Sequence, residues 1–224
     1  MRIDKKLYSK LETIVESHIS RWLKIKLKDN LLEGFDVSFV TNGYNKKFQI
    51  HSAIGRSLDS SLGKLYEKLL EAISEYYNDI TLTRLKTKKK NGKPYIIDLL
   101  FHRNGIANLI EIKLHCELDN KKSLSEKQAL DERKEIYIKE TKLSNKKVNI
   151  FMGVVGNKDG DNPNDFKMGR LSEYFDRSEV LVEKELFDFV SGTKGFFEEF
   201  SKFNSKFIIP KVNESIELIE KHYE

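Results

Sequence analysis

The residues of this chain best suited to chemistry are Asp98, Glu111 and Lys113. Each is set in an otherwise apolar run, Tyr95-Ile-Ile-Asp98-Leu-Leu-Phe101 and then Asn108-Leu-Ile-Glu111-Ile-Lys113-Leu114. A carboxylate inside such a run is costly unless a metal, an ion pair or hydrogen bonds compensate it. Two carboxylates brought together also repel unless a cation sits between them. Hard oxygen donors suit Mg²⁺, which takes one or two carboxylates, keeps several waters and accepts phosphate oxygens for the rest. A lysine beside that ion would orient an attacking water, or help deprotonate it, because a crowded cationic site can lower a lysine pKa. The ion would also stabilise charge on the phosphorane and the leaving oxygen. The chemistry implied is metal-assisted hydrolysis of a phosphodiester. The alternative is structural: an Asp98–Lys113 ion pair, with Glu111 pointing outward on a half-exposed strand.

That chemistry requires two strands. The runs 95–101 and 106–114 are bounded by Lys-Asn-Gly-Lys-Pro and joined through His-Arg-Asn104-Gly105, which predicts a hairpin with a tight turn. Residues two apart share a strand face, so Glu111 and Lys113 emerge together while Ile110, Ile112 and Leu114 face the other layer. A turn centred near 104 and 105 sets Asp98 opposite roughly residue 111.

With these residues placed, the chain resembles the PD-(D/E)XK nucleases, whose signature is matched by Asp98 followed by Glu111-Ile-Lys113. Ile97 stands where the nominal proline would be. Arg56-Ser-Leu-Asp59-Ser-Ser-Leu-Gly63-Lys-Leu-Tyr-Glu67 is similar to the RSxDSxxGxxxE segment that begins the first long helix in several type II restriction endonucleases. Val180 to Gly192 resembles a strand-then-helix segment near the C-terminus of such enzymes. The resemblance implies a restriction-endonuclease-like core and cleavage of double-stranded DNA at a specific sequence, as one half of a restriction–modification system. It further implies Asp98, Glu111 and the backbone of Ile112 as holders of Mg²⁺, Lys113 as the residue positioning the nucleophile, and Glu67 as a supporting acid. A homodimer, each subunit cutting one strand of a palindrome, is implied in the same way. Within enzymes the alternative is a structure-selective repair or junction nuclease; outside them, a non-catalytic DNA-binding protein of the same fold.

Other segments fill in the frame. Ser60 or Ser61 reads as an N-cap, with Leu62, Leu65, Tyr66, Leu69, Leu70 and Ile73 forming a core stripe and Glu67 at its edge. Residues 4–27 read as an opening amphipathic helix, and 35–54 as a hairpin or a helix-to-helix connection. Ser123–Lys142 is helix-favouring, with Leu124, Gln128, Leu130 and Ile136 or Tyr137 on its drier side; Gln128 is a candidate DNA-backbone contact, as is Arg56. Val148–Val155 is a third buried strand, and the Gly156–Asp165 segment lacks EF-hand spacing and reads as a loop. Residues 180–183 add a strand, followed by helices near 184–203 and 211–222.

Composition sets bounds. With 224 residues, 39% of them hydrophobic, one sizeable core is expected, giving a single nuclease domain over 1–224 with a helical segment at about 1–30. The expected class is α/β, a central mixed sheet of four to five strands flanked by helices. Forty basic residues against 35 acidic ones leave a net charge of only +5, so the position of the positive charge matters more than its total. Lys86, Lys88, Lys89, Lys90 and Lys93 form the densest run, read as a basic loop that meets DNA phosphates beside Asp98. The lone Cys116 excludes an intramolecular disulfide and a cysteine zinc cluster, and the absence of an apolar signal or spanning stretch predicts a cytoplasmic location with no membrane partner.

Overall fold

Both strands of the expected hairpin form, as β2 (Pro94–Arg103) and β3 (Ile106–Lys113). They pair antiparallel from Arg103↔Ile106 to Leu99↔Ile110. Asn104 at φ 53° and Gly105 at φ 74° make the two-residue turn left-handed at both positions, the geometry whose twist matches that of paired strands. Because β3 and β4 (Val148–Val154) are parallel, a crossover must join them, and α3 (Asn120–Thr141) supplies it. β5 (Val180–Val182) continues the parallel pairing, and β1 (Ile80–Lys88) pairs antiparallel with β2. The result is a mixed sheet of five strands in the order β1-β2-β3-β4-β5.

The computed structural model describes residues 3–28, 46–89, 91–115, 120–156 and 169–223. It divides into two compact units, one of Tyr66–Glu198 and one of Arg2–Leu65 with Glu199–Glu224. The first contains the sheet. On one face Leu100, Leu109, Ile150 and Met152 pack with Leu130 and Tyr137 of α3. On the other face Gly153 leaves room for Ile110 and Leu186, since a Cβ there would come within 2.9 Å of each; this brings α4 (Lys184–Ser191) onto the sheet. Gly192 ends α4 at φ 68°, where a Cβ would also meet the Arg103 guanidinium at 2.7 Å. Both reasons require glycine.

The second unit is helical. α1 (Lys5–Lys28) buries Leu7, Leu11, Val15, Ile19 and Trp22, and Asp4 accepts the Lys6 N–H at its start. Trp22 packs with Ile50, Ala53, Ile54 and Ile219. α5 (Phe196–Phe203) runs through a widened turn at Asn204–Ile208 into α6 (Ile209–Tyr223). Pro210 has no N–H to donate one turn back, and the wider turn accommodates that loss.

Several expectations are corrected. α2 spans Lys46–Tyr77, so Ser60 and Ser61 lie inside a helix instead of capping one. The apolar stripe extends upstream through Ile50 and Ile54, and the Ser57 and Ser61 hydroxyls are used laterally, Ser57 accepting from the Trp22 indole and Ser61 meeting His18 Nε2. The same helix removes the hairpin reading for 46–54, while 35–45 lies outside the described residues. The basic run is only partly a loop, because Lys86 and Lys88 belong to edge strand β1. That strand was hidden by its sparse burial, Leu85 being its only buried residue. The drier side of α3 is Ser123, Leu130 and Tyr137, whereas Leu124 and Gln128 are exposed. The helix expected over 184–203 is interrupted between Gly192 and Gly195, both at positive φ.

Candidate active site

The hairpin ladder stops one step short of Asp98. Beyond Leu99↔Ile110, the next N–H that turns toward β2, that of Ile112, donates to the Asp98 carboxylate at 2.8 Å. A residue's N–H and C=O point to the same neighbour in a strand, so the Ile112 carbonyl is directed into the same opening. Asp98 and Glu111 therefore meet across the hairpin at its open end, as the spacing predicted.

Glu111 does not point outward. It is 6% exposed, and its two oxygens are held by different cations, Oε1 by Lys113 Nζ at 2.8 Å and Oε2 by Arg133 Nη1 at 2.7 Å. Lys113 also reaches Glu126 Oε1 at 2.9 Å. The structural alternative, an Asp98–Lys113 pair beside an outward Glu111, is thus replaced by a chain Arg133–Glu111–Lys113–Glu126 with Asp98 across from it.

These contacts set the electrostatics. Burial pushes the Asp98 carboxyl up to about 7, and the neighbouring charges of Glu111 and Glu67 add to this against the opposing pull of the Ile112 N–H and Lys113. Burial opposes ionisation of Glu111 too, but Lys113 and then Arg133 outweigh it and hold Glu111 below its ordinary value. For Lys113, burial favours the neutral amine, yet Glu111 and Glu126 raise it above its usual value. Its immediate neighbours are anions, and these set the direction of the shift. With those neighbours Lys113 is held as an ammonium, its Nζ donating to Glu111 and Glu126.

Glu67, on α2, is close enough for its charge to raise Asp98. Lys86, Lys88, Lys89 and Lys93 are exposed, the first two on β1 and the others in the connection to β2, and Lys89 Nζ lies 5.2 Å from the Tyr95 ring centre. Lys90 falls outside the described residues, as do Cys116 and residues 157–168. Gln128 is exposed on α3, and Arg56 is exposed on α2 within the other compact unit.

Glu126 and Arg133 were missed by the sequence reading. Their signal lay in the spacing Ser123, Glu126, Leu130, Arg133, Tyr137, a stripe of alternating three- and four-residue steps that places two charged residues on the buried face of the helix. Charges on such a face need partners, and β3 provides them.

A family model described as type II restriction endonuclease, HinfI, matches residues 74–207. The chain belongs to that family. The matched HinfI-type region takes in the whole sheet and every member of the chain from Asp98 to Arg133, while Arg56 and Glu67 precede it. Family membership makes the protein a site-specific deoxyribonuclease, a hydrolase that acts on DNA, and its five-stranded mixed sheet flanked by helices has the restriction-endonuclease-like form. No individually curated protein matches the chain. Among the described residues, no helix is long and apolar enough to cross a membrane.

The donor set fits a hard cation. Among the described residues no group of three or more His, Cys, Asp and Glu side chains is gathered as a metal cage. Two carboxylates and one backbone carbonyl are instead the sparse set that Mg²⁺ accepts when water and phosphate complete its shell.

Proposed function

We propose that this restriction endonuclease cuts both strands of its DNA site by Mg²⁺-dependent hydrolysis, with Asp98, Glu111 and the Ile112 carbonyl holding the ion. The observation that carries the reading is the convergence of Asp98, Glu111 and Lys113 at the open end of the β2–β3 hairpin. When bound, the ion supplies positive charge for the scissile phosphate and lowers the pKa of water. Asp98 contributes a carboxylate that the ion would keep deprotonated. Lys113, as an ammonium, donates toward a phosphate oxygen and so positions the phosphorus for in-line attack. Glu67 supports Asp98 from α2. Water oxygen bonds to phosphorus as one bridging P–O bond breaks; the attacking water gives a proton to solvent and the leaving oxygen takes one from it, leaving a phosphate on one DNA end and a hydroxyl on the other.

Lys86, Lys88, Lys89, Lys90 and Lys93, with Arg56 and Gln128, are assigned to the DNA backbone, supplying salt-sensitive affinity. The chain acts as one nuclease domain in the cytoplasm, pairing as a homodimer whose two-fold axis matches a palindromic target. Incubating plasmid and phage DNA with the protein in Mg²⁺ or EDTA, and sequencing the resulting ends, tests the reading. Discrete fragments with one common terminal sequence in Mg²⁺ alone support it. Fragments that persist in EDTA overturn the metal assignment.

A further inference from the structure

Arg133 has no role in the reading above, yet it makes the shortest contact in the site, 2.7 Å from its Nη1 to Glu111 Oε2. Its side chain is largely buried against the sheet, and it stands two helical turns beyond Glu126 on the same face of α3. Lys113 and Arg133 divide the Glu111 carboxylate between them, one oxygen each. The two contacts differ in kind. Lys113 is a flexible amine shared with Glu126, and in the reaction it must turn toward substrate. Arg133 presents a planar group held by helix packing, with its Nη1 on Glu111 Oε2.

We infer that Arg133 is a positioning residue for DNA cleavage: it anchors Glu111 through Oε2 so that the carboxylate keeps its orientation while Lys113 leaves Oε1 for the phosphate. With Arg133 gone, Lys113 is the one cation left on Glu111 among the described residues, and the pair locks together. The lysine is then withheld from substrate. The inference rests on the assignment of Asp98, Glu111 and Lys113 as the cleavage centre.

The test combines single-turnover cleavage of a plasmid carrying the recognition site with calorimetric titration of Mn²⁺ into the DNA-free protein. Arg133→Gln should cut at least about tenfold more slowly while binding Mn²⁺ no less tightly than wild type, because a positive charge near the ion has been removed. Arg133→Lys should recover most of the rate. A purely structural arginine would lower metal affinity and rate together, with no recovery from lysine, and that result overturns the inference. So does a wild-type rate in Arg133→Gln. If Arg133→Gln fails to fold, Arg133→Ala assayed with and without added guanidinium ion decides: restored cutting supports the anchor, and a folded, inactive protein that guanidinium does not rescue overturns it. Lys113→Ala and Asp98→Ala run alongside. If those two cut normally, the cleavage centre itself is misassigned; if they are inactive and Arg133→Gln is not, only the role of Arg133 fails.

Discussion

The two ends of the β2–β3 hairpin are made of the same strands and serve opposite ends. At the turn, polar side chains are held by hydrogen bonds to neutral groups. The Arg103 guanidinium donates to the carbonyls of Phe189 and Val190 and to Asn78 Oδ1, and His102 meets the Tyr137 hydroxyl. At the open end the ladder stops, Asp98 is pushed up to about 7 by burial and by the acids around it, and Glu111 is held below its ordinary value by Lys113 and Arg133 against burial. One end contributes stability, whereas the other gives some up by burying charges, the arrangement expected of the metal and phosphate site proposed above.

Substitutions should separate these roles. The largest effect is expected for Lys113→Ala, which removes the only ammonium facing Glu111 from β3; cleavage should fall by about three orders of magnitude or more, measured under single turnover, with the circular dichroism spectrum retained. At the turn, Arg103→Ala should cost about 3 kcal/mol, because several acceptors at the end of α4 lose a charged donor. Denaturant unfolding would record that loss, and the fraction still folded should cut at the normal rate.

Asp98→Asn is expected to act in the opposite sense on stability. An acid with a folded value of about 7 and an unfolded value of about 3.9 binds more protons when folded, so its ionisation lowers stability as pH rises through that window. The amide removes this loss. Metal-free Asp98→Asn should therefore be more stable than wild type by up to about 4 kcal/mol near pH 8 and equal to it near pH 3; a thermal melt at the two pH values checks both sign and window. The smallest change is predicted for Tyr137→Phe, which leaves His102 Nε2 without its partner and should cost about 1 kcal/mol in the same unfolding assay, leaving cleavage intact.

How far the sequence reveals this division depends on where each interaction originates. The turn could be read from Asn104-Gly105 because positive φ is a local property of those residues, and the opposition of Asp98 and Glu111 followed from counting outward from it. β4 could be read from its continuous apolar run, and β5 and α4 from the resemblance of Val180 to Gly192 to a strand-then-helix segment. β1 could not, since an edge strand with one buried residue carries no strong hydrophobic pattern. Ser60 and Ser61 misled for the same kind of reason: a hydroxyl bonded sideways to His18 has the same sequence appearance as a cap. Glu126 and Arg133 became visible only once α3 was laid across β3, although their heptad spacing with Leu130 and Tyr137 carried the signal. The raised pKa of Lys113 owes most to Glu111, its neighbour on β3, and is completed by Glu126, a contact made across the crossover.

The most direct measurement is plasmid cleavage by Asp98→Asn across a Mg²⁺ titration, using protein shown by its melt to be folded. A variant that is more stable than wild type at high pH yet yields no fragments at any Mg²⁺ concentration is the predicted result. A folded Asp98→Asn enzyme that cuts at the wild-type rate with wild-type metal dependence would contradict the assignment of the hairpin's open end as the cleavage centre.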